Sequence, residues 1–484
     1  MSQSLENIAV ATRGPLDAVV RVPGSKSITN RVLLIAALAD GSSELVGALA
    51  SDDTRVMRDA LADLGVRIRE DRAAWHVDGV AGALSAPAEP LVVGNSGTSA
   101  RFLTAAAALA DGPVVIDGND RMRERPIIDL VDALQALSVP VEILGENGCP
   151  PVRVGGGGLP GGEVVVDASR SSQYVSALLL AAPYAARDLT IRFRDGIVVS
   201  RPYIDLTLQN MRAFGARAEW TLDGTALRIH AGHPYAARRF AIEPDASAAA
   251  YPFCAAAIAG GRVRVENVAR DSIQADFALL GVLERMGCGV RRGDDFAEVT
   301  GPRGRLAAID VDMNDFPDAV LALAVVALFA DGETRIRNVA NLRIKETDRL
   351  AALETELRRL GADAQANDDS LTIRPGELRG AEIATYDDHR MAMAFALVGL
   401  RVPGVVILDP GCVSKTWPEY FAALRETVDP RNGNRQAGSR RRGTFRSVAA
   451  AKRQEALKWR ASAQTAGHPP SATSRAASRS RRVA

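Results

Sequence analysis

Lys26 and Arg31 stand beside three hydroxyl side chains and a Pro-Gly turn in residues 22–31, VPGSKSITNR. The run that follows, VLLIAALA, has the composition of a buried helix. The first turn of a helix already carries partial positive charge and free N–H groups, so cations there destabilise the helix unless an anion binds. The segment therefore predicts an anion-binding site.

Polar residues recur at the starts of four other predicted helices. Hydroxyl or Asx side chains there are ordinary N-caps, each contributing about 1 kcal/mol, but capping does not explain the accompanying cations. We expect these helix starts to gather into one electropositive hollow. The polar sets are Asn95, Ser96, Gly97, Thr98 and Arg101; Ser171, Ser172 and Gln173; Asn314, Asp315 and Asp318; and Asp388, His389 and Arg390.

Further cations lie in segments that read as loops. Taken singly, each is more often a solvated surface charge. A charge-assisted bond to phosphate contributes roughly 1.5 to 3 kcal/mol, so five or six convergent cations suit two anionic groups better than one. These cations are Arg121, Arg123 and Arg125 in DRMRERPIID, Arg343, Lys345 and Arg349 in NLRIKETDRL, and Lys415 in GCVSKTWPEY.

One phrase recurs along the chain, an amphipathic stretch that ends in Leu-Gly or similar and precedes a short strand pattern. Its Gly or Ser positions are 65, 138, 215, 287 and 361, at intervals of 73, 77, 72 and 74 residues. These positions predict left-handed helix caps. Each unit also contains an earlier helix that is apolar on all sides and therefore buried. The spacing predicts six α+β units, three in each of two lobes.

Length and composition bound the class of protein. The chain has 484 residues, 47% of them hydrophobic, which predicts two or three globular domains. It has no apolar run of 18 residues and no signal-peptide pattern, so we expect a cytoplasmic protein without a membrane span. Four widely spaced cysteines fit neither a disulfide framework nor a zinc site, and we expect no metal.

The net charge of +1 conceals a basic C-terminal segment. Residues 431–484 contain twelve Arg and two Lys against Glu455, a net charge of +13, which leaves −12 for the rest of the chain. This composition cannot bury a core, and it predicts a disordered tail over residues 429–484. The tail could bind nucleic acid non-specifically, but a solvated appendage is the simpler interpretation.

Nine motifs together resemble the 5-enolpyruvylshikimate-3-phosphate synthase family of enolpyruvyl transferases. The resemblance implies transfer of the carboxyvinyl group of phosphoenolpyruvate to the 5-hydroxyl of shikimate 3-phosphate, with release of phosphate and without a cofactor, on the pathway to chorismate and aromatic amino acids. Between residues 22 and 424 the motifs are VPGSKSITNR, GNSGTSAR, RMRERPI, SSQYVSALL, SRPYID, DMNDFPDA, NLRIKETDRL, TYDDHRMAM and DPGCVSKTWPEYF.

The same resemblance implies an α+β (α/β) fold. Two lobes, each of three βαβαββ repeats, would form an inside-out α/β barrel with the buried helices aimed at the cleft between the lobes. One lobe would be residues 22–241 and the other residues 1–21 plus 242–428. We expect a monomer whose lobes close on the substrates, because a bound anion relieves repulsion between facing cations.

Site residues carry over from the family motif by motif. Phosphoenolpyruvate would contact Lys26, Asn95, Gly97, Thr98, Arg125, Gln173, Arg349, His389, Arg390 and Lys415. Shikimate 3-phosphate would contact Lys26, Ser27, Arg31, Ser171, Ser172, Gln173, Ser200, Tyr203, Asp318, Asn341 and Lys345. Asp318 would accept the hydroxyl proton, while Glu346 and Lys26 would handle the proton at the methylene carbon. Without the resemblance, Asp318 reads as a helix-start acid and Glu346 as an i, i+3 partner of Arg349.

Three other functions are weighed against this one. A UDP-N-acetylglucosamine enolpyruvyl transferase shares the fold but uses a loop cysteine, which RMRERP lacks and for which Cys149 has the wrong flanks. A nicotinamide dehydrogenase is not favoured, because Gly156-x-Gly158-x-x-Gly161 precedes a strand pattern and reads as a flexible loop. A non-catalytic anion or nucleic-acid binder is not favoured, because Asp318, Glu346 and Lys26 are all present.

Some positions depart from the family's commonest residues without removing a proposed ligand. Phe102 stands where many members have proline, while Gly97 is unsubstituted, which favours inhibition by glyphosate, a mimic of phosphoenolpyruvate in family members. The other departures are Ser96, Ser99, Pro244, Asp315 and Phe316.

Overall fold

The computed structural model describes residues 7–71 and 74–428. The predicted basic tail, 429–484, lies outside the described residues, as do the first six residues. Twelve α-helices lie in the described chain. They are α1 (Lys26–Leu38), α2 (Asp52–Asp63), α3 (Gly97–Ala106), α4 (Ile128–Ala136), α5 (Ser172–Ala181), α6 (Arg201–Ala213), α7 (Ala246–Ala259), α8 (Leu279–Arg285), α9 (Val320–Ala327), α10 (Arg349–Arg359), α11 (His389–Val398) and α12 (Tyr420–Val428).

Short strands alternate with these helices. In chain order they are β1 (Ile8–Ala9), β2 (Leu16–Val20), β3 (Asp40–Val46), β4 (Arg67–Glu70), β5 (Ala74–Val80), β6 (Leu91–Val92), β7 (Val114–Asp117), β8 (Val141–Ile143), β9 (Val152–Val154), β10 (Gly162–Ala168), β11 (Leu189–Val198), β12 (Ala218–Trp220), β13 (Ala226–Ile229), β14 (Arg239–Ala241), β15 (Gly261–Glu266), β16 (Gly289–Arg292), β17 (Phe296–Thr300), β18 (Leu306–Ala307), β19 (Asp310–Asp312), β20 (Ala330–Asp331), β21 (Thr334–Arg337), β22 (Asp363–Ala366), β23 (Leu371–Arg374), β24 (Glu382–Ile383) and β25 (Val406–Ile407).

Five of the sheets in the described chain have four strands and the same pairing pattern. In β10-β11-β13-β12, for example, the first pair is parallel and the next two pairs are antiparallel. The pattern repeats in β14-β3-β5-β4, β6-β7-β9-β8, β2-β15-β17-β16 and β19-β21-β23-β22. A three-stranded sheet, β1-β25-β24, and a two-stranded one, β18-β20, complete the set.

The described sheets are separate and close no barrel, contrary to the barrel expected from the sequence. The physical reason is that buried helices lie at the centre and contact one another, α1, α3 and α5 in one group and α7, α9 and α11 in the other. The sheets therefore pack around helices instead of continuing into the next sheet by hydrogen bonds. An α/β architecture is confirmed.

The buried apolar side chains form two hydrophobic cores. The first core draws on residues 28–242 and the second on residues 16–20 and 246–424. All eight residues of α9 and all ten residues of α11 are buried, which confirms the prediction of buried helices. Burial of each large aliphatic side chain contributes about 1.5 to 3 kcal/mol.

The predicted helix caps are left-handed at all five positions. Gly65, Gly215, Gly287 and Gly361 have φ of 92°, 96°, 98° and 102°, and Ser138 has φ of 63°. Glycine adopts this conformation without steric cost, whereas Ser138 pays a small penalty to keep the same turn. The cap turns each helix into the strand that follows, so the recurring phrase is a structural unit.

Two segments of the chain cross between the cores side by side. Gly24 forms an antiparallel bridge with Pro244, Ser25 N donates to Glu243 O at 2.8 Å, and Asp245 N donates to Pro23 O at 2.8 Å. Pro244 fits this bridge because the N–H donors come from its neighbours.

The carboxylate of Asp245 then joins one helix from each core. It accepts from Lys26 N at the start of α1 and from Ala248 N at the start of α7, at 2.8 and 2.9 Å. One acid therefore caps both helices.

Candidate active site

A cleft that is open to solvent, with a volume of about 730 Å³, lies where the two cores meet. One wall comes from the starts of α1, α3 and α5, and the other from the 3-10 helices Pro317–Ala319 and Ala340–Ile344. Most of the predicted site residues share this concavity. The lining residues are Lys26, Ser27, Arg31, Asp53, Gly97, Thr98, Phe102, Arg125, Arg170, Ser171, Ser172, Gln173, Ser200, Tyr203, Pro317, Asp318, Asn341, Lys345 and Glu346.

Five predicted residues stand directly behind this lining. Four of them bond to a lining residue, and His389 immediately precedes Arg390, so the structure brings the proposed substrate ligands and catalytic residues to one place. Arg123 and Arg343 instead pair with Asp117 and Asp348 outside the lining. These five are Asn95, Arg349, His389, Arg390 and Lys415.

Asp53 links two lysines from the two cores. Its Oδ2 lies 3.2 Å from Lys26 Nζ, and its Oδ1 accepts from Lys415 Nζ at 2.7 Å. Burial alone would raise the pKa of Asp53, but Lys415 and Lys26 outweigh burial and lower this pKa. The carboxylate therefore balances two ammonium groups that would otherwise repel each other across the cleft.

Arg125 is buried at the edge of the same group. Its Nη1 donates to Asn95 O at 3.0 Å and to Asn95 Oδ1 at 2.9 Å, while Nε has no hydrogen-bond partner among the described residues. Burial lowers the pKa of Arg125 to about 10, with Glu346 acting in the opposite sense. A buried guanidinium with an unused donor is the kind of group that binds a carboxylate or phosphate.

Arg349, on the second core, is surrounded by three carboxylates. Its Nε donates to Asp388 Oδ2 at 2.7 Å, its Nη1 donates to Asp318 Oδ1 at 3.2 Å, and its Nη2 lies 2.9 Å from Glu346 Oε2. Arg390 Nη2 donates to the second oxygen of Asp318 at 2.8 Å. The start of α11 is therefore tied to the start of α10 through shared carboxylates.

The two candidate catalytic acids are held ionised. Burial alone would raise the pKa of Asp318, but Arg390, Lys345 and Arg349 bring it well below its usual value. Burial would likewise raise the pKa of Glu346, and the surrounding cations, Arg349 first, lower it strongly. Both carboxylates are therefore anionic bases as long as these cations face them.

His389 is fully buried at the first position of α11, and neither ring nitrogen has a hydrogen-bond partner among the described residues. Burial, and then the neighbouring Arg390, lower its pKa well below the usual value. The imidazole is therefore neutral, with one donor and one acceptor nitrogen unused.

Arg31 organises the polar wall on the first core. Its Nε donates to Thr207 Oγ1 at 2.7 Å, its Nη1 donates to Ser27 O at 2.8 Å, and its guanidinium lies 5.2 Å from the centre of the Phe102 ring. These contacts fix the side chain over the aromatic face. Burial lowers the pKa of Arg31 to about 10, which leaves it charged at neutral pH.

The start of α5 supplies hydroxyl and amide groups beside Arg31. Ser171 caps α5 by accepting from Gln173 N at 3.2 Å, and Gln173 Nε2 donates to Thr98 Oγ1 at 3.4 Å. Ser171 therefore serves as the N-cap of α5, and Ser172 lies beside it on the cleft wall.

Contacts between the cores complete the cleft. Ser200 Oγ donates to Asn314 O at 3.1 Å and accepts from Asn341 Nδ2 at 3.4 Å. Tyr203 OH donates to Asp276 Oδ2 at 2.7 Å. Ser200 has a left-handed backbone, φ 52°, directly before α6, which aims its side chain across the gap.

The sequence-based prediction missed five lining or adjoining residues. Ser51 reads as the N-cap of α2, and Asp52 and Asp53 read as its first-turn acids. No local pattern in the sequence indicates that Asp53 bridges two lysines. Asp276 likewise lies in a short 3-10 helix with no pattern to distinguish it. The remaining three are Phe102, Arg170 and Pro317.

The chain is similar in sequence to proteins of known function. The sequence model of the family described as EPSP synthase (3-phosphoshikimate 1-carboxyvinyltransferase) matches residues 10–424. The chain is 47% identical over 421 residues to the 3-phosphoshikimate 1-carboxyvinyltransferase of Nostoc punctiforme, covering 87% of this chain and 98% of that protein. It is 46% identical to the protein of the same name from Photobacterium profundum, covering 88% of this chain and 100% of the relative.

Solved structures are similar as well. The structure of an EPSP synthase from Acinetobacter baumannii superimposes with a TM-score of 0.72 at 26% identity, covering 87% of this chain and 98% of that chain. The similarity extends over both cores.

Proposed function

The chain belongs to the EPSP synthase family, and we propose that it is a 3-phosphoshikimate 1-carboxyvinyltransferase. It transfers the carboxyvinyl group of phosphoenolpyruvate to the 5-hydroxyl of shikimate 3-phosphate and releases phosphate. The observation that carries the proposal is the set of cations from both cores, Lys26, Arg125 and Lys415 with Arg349 and Arg390, around one cleft.

We divide the cleft between the two substrates. Phosphoenolpyruvate lies between Arg125, with its unused Nε, and the lysines on either side of Asp53. Shikimate 3-phosphate lies against Arg31, the start of α5 and the Ser200–Asn341 contact. The donors supporting this division are buried or half-buried and are held by neighbouring residues, which lowers the entropic cost of binding.

The acid–base roles follow from the charges. Asp318 accepts the proton of the attacking hydroxyl, which bonds to the carbon next to the methylene group. Glu346 and Lys26 deliver the proton to the methylene carbon, and the tetrahedral intermediate then loses phosphate. Because the anionic substrates compete for Arg349 and Arg125, the pKa of Glu346 rises on binding, so Glu346 can take up from solvent the proton that it then delivers.

Repeats and lobes are further parts of the proposal. The shared strand pairing of the five four-stranded sheets, with the parallel and antiparallel pairs of the three-stranded sheet as a shorter sixth, supports six βαβαββ units. The two hydrophobic cores support lobes of residues 22–241 and of 1–21 plus 242–428 that close on the substrates. We also propose a monomer acting in the cytoplasm, because one chain supplies every proposed ligand and the four described cysteines are free.

The direct test measures phosphate release from phosphoenolpyruvate with shikimate 3-phosphate or with UDP-N-acetylglucosamine as acceptor. We expect turnover with the first acceptor alone. The second acceptor is not favoured, because Cys149 is buried and burial raises its pKa, whereas a nucleophilic thiol needs a lowered one. Turnover of Asp318→Ala, Glu346→Ala or Lys26→Ala near the wild-type rate would remove that residue from the scheme.

A further inference from the structure

Arg121 reaches from the first core to the backbone of the second, outside the set of proposed ligands. Its Nε and Nη2 donate to Lys345 O at 3.2 and 3.0 Å, and Nη2 also donates to Arg343 O at 3.3 Å. The remaining nitrogen, Nη1, donates to Glu124 Oε2 at 2.9 Å within its own loop. The fork of the guanidinium thus grips one peptide carbonyl with two donors.

The loop that carries Arg121 is firmly held by the first core. Met122 N donates to Asn119 Oδ1 at 3.0 Å, which fixes the turn around Arg121. Arg101 Nη2 and Tyr174 OH both donate to Pro126 O, at 2.7 and 2.8 Å. The guanidinium is therefore presented from a rigid support.

The segment it grips has less support of its own. Residues 345–347 lie between the 3-10 helix Ala340–Ile344 and Asp348, which is the N-cap of α10. The carbonyl that Arg121 holds belongs to the peptide joining Lys345 to Glu346. A rotation of that peptide would move both side chains, and they face Asp318 and Arg349 at 3.8 and 2.9 Å.

We propose that Arg121 is a positioning residue for Glu346 and Lys345, and that it acts only when the two cores are in contact. Arg121 touches neither proposed substrate position; it sets the angle at which Glu346 meets the methylene carbon. This inference rests on the proposed function, and it makes the acid–base step dependent on closure, because the grip is made from the opposite core. Misplacing a catalytic group lowers turnover more than ground-state binding.

The test compares four variants of the full chain by phosphate release and by hydrogen–deuterium exchange of residues 345–348. Arg121→Ala removes the grip, and Arg121→Lys keeps the charge and one donor group. Arg123→Ala is the matched control from the same loop, because Arg123 bonds to Asp117 in its own core. Glu124→Gln removes the negative charge of the other partner of Arg121, whose carbonyl contacts do not involve residue 124.

We expect Arg121→Ala to lower kcat about 10-fold or more with less than about a threefold change in KM for phosphoenolpyruvate, and to speed exchange in residues 345–348. Arg121→Lys should recover part of kcat, while both controls stay within about twofold of wild type. The inference is overturned if Arg121→Ala keeps wild-type kcat and exchange, or if Arg123→Ala matches it in both. Should Arg121→Ala fail to fold, Arg121→Lys must still show the kcat loss and faster exchange. Absence of phosphate release from the wild type would instead contradict the proposed function, and the exchange comparison would still decide the role of Arg121.

Discussion

Gly97 stands at the first position of α3, where its lack of a side chain makes room for Arg125. A β-carbon at this position would overlap the end of the Arg125 guanidinium. That end is flexible, so the protein would accommodate the methyl group by moving Arg125 and not by shifting its backbone. The smallest residue in the cleft therefore determines where one of its buried cations sits.

Gly97→Ala should weaken binding of phosphoenolpyruvate selectively. Displacing one charge-assisted contact predicts a KM for phosphoenolpyruvate about 10- to 100-fold higher, with the KM for shikimate 3-phosphate changed little. The thermal midpoint should stay near that of wild type, because alanine favours the helix. Steady-state phosphate release with each substrate varied in turn measures both constants. An equal rise in the two KM values would contradict the placement of Arg125.

Asp276 is a second residue whose environment makes a quantitative prediction. Burial, and then Asp318, raise the pKa of Asp276 to about 6. Because this folded-state value lies above that of the unfolded chain, the folded protein prefers the protonated acid, and its contribution to stability is lost as the pH rises from about 4 to about 6. Asp276 is therefore a source of instability at neutral pH.

Asp276→Asn keeps an acceptor for Tyr203 but cannot ionise. We expect it to be more stable than wild type by on the order of 1 to 3 kcal/mol at pH 7.5, with the difference disappearing below about pH 4. Thermal unfolding across this pH range measures the effect. Asp271→Asn, at an exposed acid on the same connecting segment, is the control for replacing a carboxylate by an amide. If the stability difference between Asp276→Asn and wild type is constant across this pH range or is negative, ionised Asp276 does not destabilise the folded protein.

At the scale of elements, the turn before α11 is under backbone strain and is held by α10. Tyr386 and Asp387 are consecutive non-glycine residues with left-handed backbones, φ 57° and 51°. Such conformations cost on the order of 1 kcal/mol each. The Tyr386 hydroxyl donates to Glu356 Oε1 at 2.7 Å, and Glu356 is fully buried on α10. This bond holds the strained turn, which presents Asp388 to Arg349.

Tyr386→Phe removes this bond and leaves the buried Glu356 carboxylate with one partner fewer. We expect a loss of stability of about 1 to 3 kcal/mol and a fall in kcat, because the start of α11 loses its support. Tyr420→Phe is the matched control, since the Tyr420 hydroxyl bonds to Met393 O inside α11. The control should lose stability without losing kcat. Equal kcat in both variants would show that the turn keeps its shape unaided.

Helices and their caps can be predicted from the sequence more reliably than contacts between residues that are distant in sequence. The caps at Gly65 and Gly361, like the buried helices, follow from rules acting within one turn, so periodicity was enough to find them. The roles of Asp53, Asp276 and Arg121 depend on side-chain or backbone groups more than 70 residues away in sequence. No local pattern encodes such an approach, and closure of sheets into a barrel, which the described sheets do not show, is also a long-range property.

At the scale of the whole molecule, contacts across the cleft are mainly between opposite charges or polar groups. Lys415 of the second core bonds to Asp53 and Asn95 of the first, and Ser414 bonds to Asp52. The Ser414–Asp52 contact is exposed and therefore weak, whereas the Lys415–Asp53 pair is largely buried and is screened less by salt. The two cores are therefore held together by contacts that an anionic ligand can replace.

Asp53→Asn should separate the cores in the ligand-free protein, because Lys26 and Lys415 would then repel each other without a neutralising carboxylate. Small-angle scattering should give a larger radius of gyration than for wild type. The difference should shrink near 1 M salt, where the screening length is about 3 Å. Asp59→Asn, on the same helix but paired with Arg58 on the surface, should leave the radius unchanged. An unchanged radius in Asp53→Asn would mean that other contacts determine closure.

The pairing of β2 with β15 also has a consequence for how the protein is made. Leu16 of β2 aligns with Gly261 of β15 in that parallel ladder, so β2 leaves the ribosome about 245 residues ahead of its partner. At about 5 to 20 residues per second, roughly 12 to 50 seconds pass in which Leu16, Ala18 and Val20 have no sheet to join. Every nascent chain therefore carries an unsatisfied hydrophobic strand through about half of its synthesis, a natural target for chaperones that bind extended apolar segments.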